Sequence, residues 1–340
     1  MSRAVAFLSS ALTGLALAAP ASGAGGPPIP YHTGEGAGVV RPDGGGPRYA
    51  TVSNGSETTV LQIDQDGGEI LASREIDGAF SVPVVGTDGT PGGLSGDGTR
   101  LVLAEPRLGF QFPRERSSFV VVDIRSDGRM RVQQRLTLPG DFSFDALSPN
   151  GLSLFLIEYP TRKLADYVVR EYDFAHDGLV DEPVLVPDEE PGDMRGLPIT
   201  RATSVDGRWE YTLYDGGGGE PFIHGLDTVD AKSVCIDLPQ LEGIDDVYRT
   251  ELELPPGSET LSVTGKGGEL LATVDTETHA VSDPPPEPRA PAEPAEDRGA
   301  GGLASGAIAA GIALVAGTAL GLRRRRRSAA PPLDRHRVAS

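Results

Sequence analysis

Between residues 48 and 282 the apolar side chains come in short runs that alternate with polar ones, and no stretch shows the three-to-four spacing of an amphipathic helix. Four runs, Leu101-Val102-Leu103-Ala104, Leu154-Phe155-Leu156-Ile157, Trp209 to Tyr214 and Leu261-Ser262-Val263, each follow a glycine turn. Those turns are Ser95-Gly96-Asp97-Gly98, Ser148-Pro149-Asn150-Gly151, Ser204-Val205-Asp206-Gly207 and the eroded Pro255-Pro256-Gly257, with their last glycines 53, 56 and 50 residues apart. Asp-Gly and Asn-Gly supply the positive φ that tight hairpins need. A fifth turn is read at Ser53-Asn54-Gly55, with Tyr49 to Val52 just ahead of it.

A second strand follows in each unit and ends in aspartate: Asp64, Asp123, Asp173, Asp227 and Asp275. Aspartate at that slot accepts hydrogen bonds from the amides of the next turn, which explains the recurrence better than a ring of metal ligands. A third strand closes three units at Pro139, Pro187 and Pro239, a residue that suits a strand end because it cannot donate to a ladder. Phe142 to Leu147 and Ile199 to Ser204 then supply an innermost fourth strand. Four-stranded units recurring every ~40 to 50 residues predict an all-β fold, a β-propeller of about five blades.

The two ends predict location. Arg3, an uncharged run from Ala4 to Ala19 and the small residues Ser22-Gly23-Ala24 form a signal-peptide pattern cut after residue 24. Residues 299–322 carry no charge, Leu303 to Leu322 would rise ~30 Å as a helix, and Arg323 to Arg327 follow, which holds that side in the cytoplasm. Six prolines between 284 and 294 favour an extended stalk. The expected organisation is a signal peptide over 1–24, a flexible segment over 25–47, the propeller ectodomain over 48–282, a stalk over 283–300, one transmembrane helix over 301–322 and an Arg-rich cytoplasmic tail over 323–340.

Composition narrows the partners. Outside the signal and tail the chain carries a net charge of about −26, which repels nucleic acid and anionic lipid. The partners expected are the membrane, through the C-terminal helix, and an extracytoplasmic protein or small ligand of unknown identity; nucleic acid is not one of them. The single cysteine, Cys235, lies in Ser233-Val234-Cys235-Ile236 and reads as a buried strand thiol.

The stretch Ser204-Val205-Asp206-Gly207-Arg208-Trp209-Glu210-Tyr211-Thr212-Leu213-Tyr214 resembles the blade signature of bacterial WD40-like and YVTN-type surface propellers, and Ser148 to Ile157 is a weaker copy. The resemblance covers roughly residues 48–282, lacks the Trp-Asp dipeptide, and implies a binding scaffold without implying one ligand. Propellers also include lactonases and other hydrolases, the alternative class.

Candidate chemistry is sparse. Of the histidines, His32 and His336 lie in the flanks and His176 in a hairpin; His224 falls on a predicted strand, where a hydrogen-bonded structural role outweighs catalysis. Tyr214-Asp215-Gly216-Gly217-Gly218-Gly219-Glu220 is a glycine-rich loop between strands, not before a helix, so it is no phosphate cradle. Asp215, Glu220 and His224 are the residues nominated for ligand binding. No cofactor, metal site or catalytic residue is called for, and no hydrolase or nucleotide-binding motif occurs.

Overall fold

A computed structural model describes residues 38–66, 68–106, 113–161, 167–187, 194–244 and 246–284. The expected signal peptide, transmembrane helix and tail, and nearly all of the stalk, lie outside these residues. No helix among the described residues is long and apolar enough to cross a membrane.

The structure is all-β, built of five antiparallel sheets in chain order. The first holds β1 (Arg48–Ser53), β2 (Glu57–Ile63) and β3 (Ile70–Asp77). The second holds β4 (Arg100–Ala104), β5 (Arg116–Ile124) and β6 (Met130–Pro139). The third runs β7 (Phe142–Leu147), β8 (Ser153–Glu158), β9 (Val168–Asp173) and β10 (Gly178–Leu179). The fourth runs β11 (Pro198–Thr203), β12 (Trp209–Tyr214), β13 (Phe222–Asp227) and β14 (Lys232–Asp237). The fifth runs β15 (Glu251–Glu253), β16 (Thr260–Thr264), β17 (Leu270–Asp275) and β18 (Val281–Ser282). β7 and β11 are the inner strands that the sequence assigned to those segments. The third strand expected at Val184 to Pro187 is reduced to one bridge, Val184 to Val169.

Consecutive sheets share cores. Val60 and Ile76 of the first pack with Leu101, Val120 and Val122 of the second. Val102, Phe119 and Val121, on the opposite face of that second sheet, pack with Phe142, Leu154 and Leu156 of the third. Ala146 and Phe155 meet Leu226 of the fourth, and Tyr211, Leu213 and Ile223 meet Leu261, Val263 and Val274 of the fifth. Strands buried on both faces read as near-continuous apolar runs, which is why Leu101-Val102-Leu103 and Leu154-Phe155-Leu156 lack alternation.

The repeated turn has one construction. In Ser95–Gly98 and Ser204–Gly207 the serine hydroxyl bonds the aspartate two residues on. The serine oxygen then accepts the amide of Arg100 or Trp209, at 3.0 and 2.8 Å. Ser148 and Asn150 repeat the pattern onto Ser153 at 2.9 Å. In the first sheet the matching turn is Arg41-Pro42-Asp43-Gly44, where Gly44 N donates to Arg41 O as Gly98 N does to Ser95 O. Val39, just ahead of it, bridges Tyr49 as the innermost residue of that sheet. Ser53-Asn54-Gly55, taken from the sequence as the first unit's turn, is therefore the next hairpin along, between β1 and β2. Arginine in the serine's place hid the true turn.

These turns converge. Asp97 N donates to Pro149 O at 2.9 Å, and Arg100 reaches Gly151 O. A Cβ on Gly96 would lie 3.0 Å from Asp206 O, and one on Gly207 3.6 Å from the Pro42 ring. The inner strands of the first four sheets thus meet around one axis. The fifth sheet's turn takes no part among the described residues: the Cβ position of Gly257 has nothing within 4 Å.

Candidate functional site

One hairpin crosses that axis. The inner strand of the second sheet is split: Ser81 pairs with Ala104 and Leu94 with Leu101. The residues between fold out as a hairpin closed by Val85 N to Thr90 O. Its tip reaches the fourth sheet, where Thr87 N donates to Pro198 O at 3.0 Å and Asp88 N to Ile199 O at 3.1 Å. The chain carries Pro83, Gly86, Gly89, Pro91, Gly92 and Gly93 there, turn-forming residues that give no sign of the crossing.

Around this plug the inner strands bulge. In β7 the register slips between Phe144 and Ala146, leaving Asp145 as the extra residue; in β11 it slips between Pro198 and Thr200, leaving Ile199 extra. A bulge re-aims the side chain it frees. Asp145 pairs in this way with Arg201 of β11, which also bonds the Asp145 carbonyl; both side chains are buried. Arg201 Nε donates to Thr212 Oγ1 at 2.7 Å. Next along, Thr203 Oγ1 donates to Glu210 Oε2 at 2.6 Å.

Asp145 and Arg201, with Val85 and Phe144, border two small cavities. One of about 70 Å³ is lined also by Val39, Leu94, Thr203 and Glu210. The other, of about 50 Å³, is lined also by Glu105, Arg114 and Tyr159. Each has room for about two waters, since one water occupies ~30 Å³ of liquid.

Burial sets the chemistry of this cluster. It pushes the Glu210 carboxyl up to about 7, against the opposing pull of Arg201 and the Thr203 hydroxyl. It brings His224 down to about 4, helped by the Arg201 charge and opposed by Asp145. Burial, reinforced by the Asp145 charge, also raises the Tyr214 phenol. Burial opposes the charge on Arg201, but Asp145 and Glu210 outweigh it and its pKa is raised. The arrangement can hold a proton near neutrality on one carboxyl beside a fixed ion pair.

The three residues nominated from sequence stand in three environments. Asp215 organises its loop: its Oδ1 accepts the amides of Leu197 and Gly217 at 2.8 and 2.9 Å, and Tyr248 donates to its Oδ2. Glu220 is exposed at the loop's end. His224 is buried at 3% exposure on β13, and its Nε2 has no hydrogen-bond partner, contrary to the satisfied role expected of it. Its cross-strand neighbour Cys235 is exposed, not buried. Val234 and Ile236 turn towards the fifth sheet's core, so alternation sends Cys235 to the other face, at the outermost strand. Asp145, Arg201 and Glu210 were not nominated; the one sequence signal was a charge inside the apolar strand Phe142 to Leu147.

Three of the five strand-end aspartates are turn acceptors, as expected: Asp173 takes Ala175 N at 2.7 Å, Asp227 takes Val229 N at 3.0 Å and Asp275 takes Glu277 N at 3.1 Å. Asp123 instead pairs with Arg100 at 3.4 Å, and the next turn is held by Asp127, which takes Arg129 N at 3.1 Å. No group of three or more metal-ligating side chains occurs among the described residues.

No protein-family model matches the chain, and no curated protein matches it. Among solved structures it is similar to AztD from Citrobacter koseri (13% identity, 69% of this chain, 58% of that one, TM-score 0.36). It is also similar to a putative TolB from Agrobacterium tumefaciens (15%, 72% and 77%, TM-score 0.38). A third is the Cps50 (Swd1) β-propeller domain of Myceliophteria thermophila (11%, 63% and 65%, TM-score 0.36). The chain spans less than two thirds of AztD. Likeness at these scores assigns neither activity nor partner.

Proposed function

We propose that this chain is a membrane-anchored, extracytoplasmic scaffold of β-propeller type that binds its partner on outer loops, with no turnover. The carrying observation is the small size of the axial space: cavities of about 50 and 70 Å³, bordered by Val85 of the crossing hairpin, Phe144 and the Asp145–Arg201 pair. Sites for organic ligands run to ~300 Å³ and above. Recognition then falls to the surface, where the loop after β12 offers the exposed Glu220 beside a backbone held by Asp215. The anchor rests on the uncharged run 299–322 and the arginines behind it. The hydrolase alternative has one point in its favour, the cavity-lining Glu210 that titrates near neutrality.

The test uses the full chain expressed with its own termini. Protease added to intact cells should remove the β-domain and leave a C-terminal reporter untouched. The purified chain should hold no stoichiometric metal and turn over no lactone, ester or peptide. Hydrolysis abolished by Glu210→Gln would replace the scaffold with an enzyme.

A further inference from the structure

We propose that His224, Cys235 and Met194 bind one monovalent copper ion at the outer mouth of the seam between the third and fourth sheets. The fourth sheet turns Ile223 and Ile236 into its core with the fifth. On its other face Phe222, His224 and Leu226 alternate along β13, and Cys235 of β14 stands directly opposite His224. Residues so opposed have Cβ atoms ~4.5–5.5 Å apart, close enough for an imidazole and a thiolate to meet on one ion.

Met194 supplies the third donor. Phe222 belongs to an aromatic cluster with Tyr214 and Tyr167. Leu226 belongs to a separate cluster with Phe155 and Val169 of the third sheet. Met194, on the segment ahead of β11, packs against both clusters. A side chain that touches the neighbours on either side of His224 lies over the row between them, which is that of His224.

His224 is the residue that calls for a ligand. It is 3% exposed, and its Nε2 is buried with no hydrogen-bond partner. A polar atom left unpaired in an apolar seam is costly, and native folds leave few of them. Tyr214 meets the ring edge-on with centroids 6.5 Å apart, which limits its rotation. Burial keeps the imidazole neutral, the form that ligates metals.

The donor set selects the ion. One imidazole, one thiolate and one thioether are soft, with no oxygen among them, and such sets favour Cu(I) over calcium or magnesium. Cu(I) also cancels the single thiolate charge, the thiol proton passing to solvent, so the loaded seam carries no net charge. Zinc would leave it positive and one ligand short. Among the described residues no three His, Cys, Asp or Glu side chains make a metal group; this set has two of those and is completed by its thioether. Cys235 is exposed at the seam's mouth, so the ion exchanges, and the chain is isolated empty and fills when Cu(I) is supplied. The site goes beyond the scaffold reading and does not depend on it.

The test uses the full chain in mild detergent, reduced and free of oxygen, titrated with Cu(I) from its bicinchoninate complex. One ion per chain should be taken up, with sulfur and nitrogen neighbours by X-ray absorption. Met194→Leu keeps the apolar packing and should weaken binding at least about tenfold; Cys235→Ser and His224→Gln should weaken it at least about a hundredfold. His176→Gln, at an exposed histidine, should change nothing. Urea midpoints separate loss of the site from loss of the fold, and if His224→Gln unfolds, Met194→Leu alone decides. Affinity unchanged by Met194→Leu would mean a lone thiolate holding the ion and would overturn the inference. So would the absence of uptake, or a loss of affinity in His176→Gln equal to that in Cys235→Ser.

Discussion

Glu210 offers the sharpest test of the physical reading, because its proton should tune stability in a direction opposite to that of most carboxylates. Its pKa is raised from 4.5 to about 7 by burial beside the cavity. A carboxyl whose folded pKa lies above its unfolded value costs nothing below about pH 4.5, where it is protonated in both states. It destabilises the fold progressively as pH rises towards 7, because the unfolded chain ionises first. The shift of 2.5 units corresponds to ~3.4 kcal/mol at most. Glu210 keeps some solvent contact, which reduces the expectation to about 1–2 kcal/mol. Glu210→Gln keeps the shape and an acceptor for Thr203 but cannot ionise. Urea titrations at intervals from pH 5 to 8.5 measure the difference. Trp209, the sole tryptophan, reports it by fluorescence, since it stacks on Tyr211 and meets His279 edge-on across the fourth and fifth sheets. The variant should match the parent at pH 5 and exceed it by about 1–2 kcal/mol at pH 8. His224 supplies an internal check of opposite sign. Its pKa is lowered to about 4, so both proteins should lose stability as pH falls from 6.5 towards 4. Parallel profiles for parent and Glu210→Gln across the whole range would refute the placement of that carboxyl in a desolvated site.

Three further outcomes follow from the same geometry. Asp145→Asn leaves Arg201 buried without its ion-pair partner and should cost about 3–5 kcal/mol in urea denaturation, whereas breaking the fully exposed pair of Arg129 with Asp127 should leave the urea midpoint close to that of the parent. Gly207→Ala puts a Cβ at φ 72°, 3.2 Å from Gly96 Cα where the turns converge. It should lower stability by at least 1 kcal/mol, while Gly257→Ala, also at positive φ but in open space, should lose only the backbone strain; equal losses would argue against convergence. Cys235, exposed on β14, should react with a thiol reagent in the native state, without waiting for unfolding as a buried thiol would.

What could be read from the chain depended on whether the chemistry was local. The turns Ser95–Gly98, Ser148–Gly151 and Ser204–Gly207 were legible because hydroxyl, carboxylate or amide and glycine lie within a few residues and bond each other. The inner strands β7 and β11 followed from their place between repeats. The turn at Arg41 to Gly44 was missed for want of its serine, and with it the innermost strand around Val39. Cys235 was misplaced because an apolar run hides which face each residue takes when one face is only partly covered. The Asp145–Arg201 pair was not legible, since it joins strands 56 residues apart through a bulge that no single-sequence pattern announces. Neither was the crossing hairpin, whose prolines and glycines specify flexibility of turn and say nothing of the β11 carbonyls it finds.

The crossing hairpin and the polar cluster explain each other. Arg201 cannot satisfy its guanidinium in an apolar seam, and a bulge in β7 delivers both the Asp145 carboxylate and its carbonyl to the same side chain. Such a pair adds little net stability over apolar residues of equal volume but penalises any arrangement that separates its members. It therefore favours one way of docking the third sheet on the fourth. The hairpin fastens the second sheet to the same strand, through Thr87 and Asp88 onto Pro198 and Ile199. The second and third sheets are thus keyed to β11 of the fourth by polar contacts, while the cores between these sheets are apolar and carry no such directional contacts. The fifth sheet shares an extensive core with the fourth but has no such key at the axis, and it is the sheet whose turn stands apart. The first four sheets are thus held together at the axis, and the fifth by its core with the fourth and by contacts off the axis, such as Tyr211 reaching Thr276 O at 3.4 Å. Loss of Asp145 should then loosen the whole hub, not one seam.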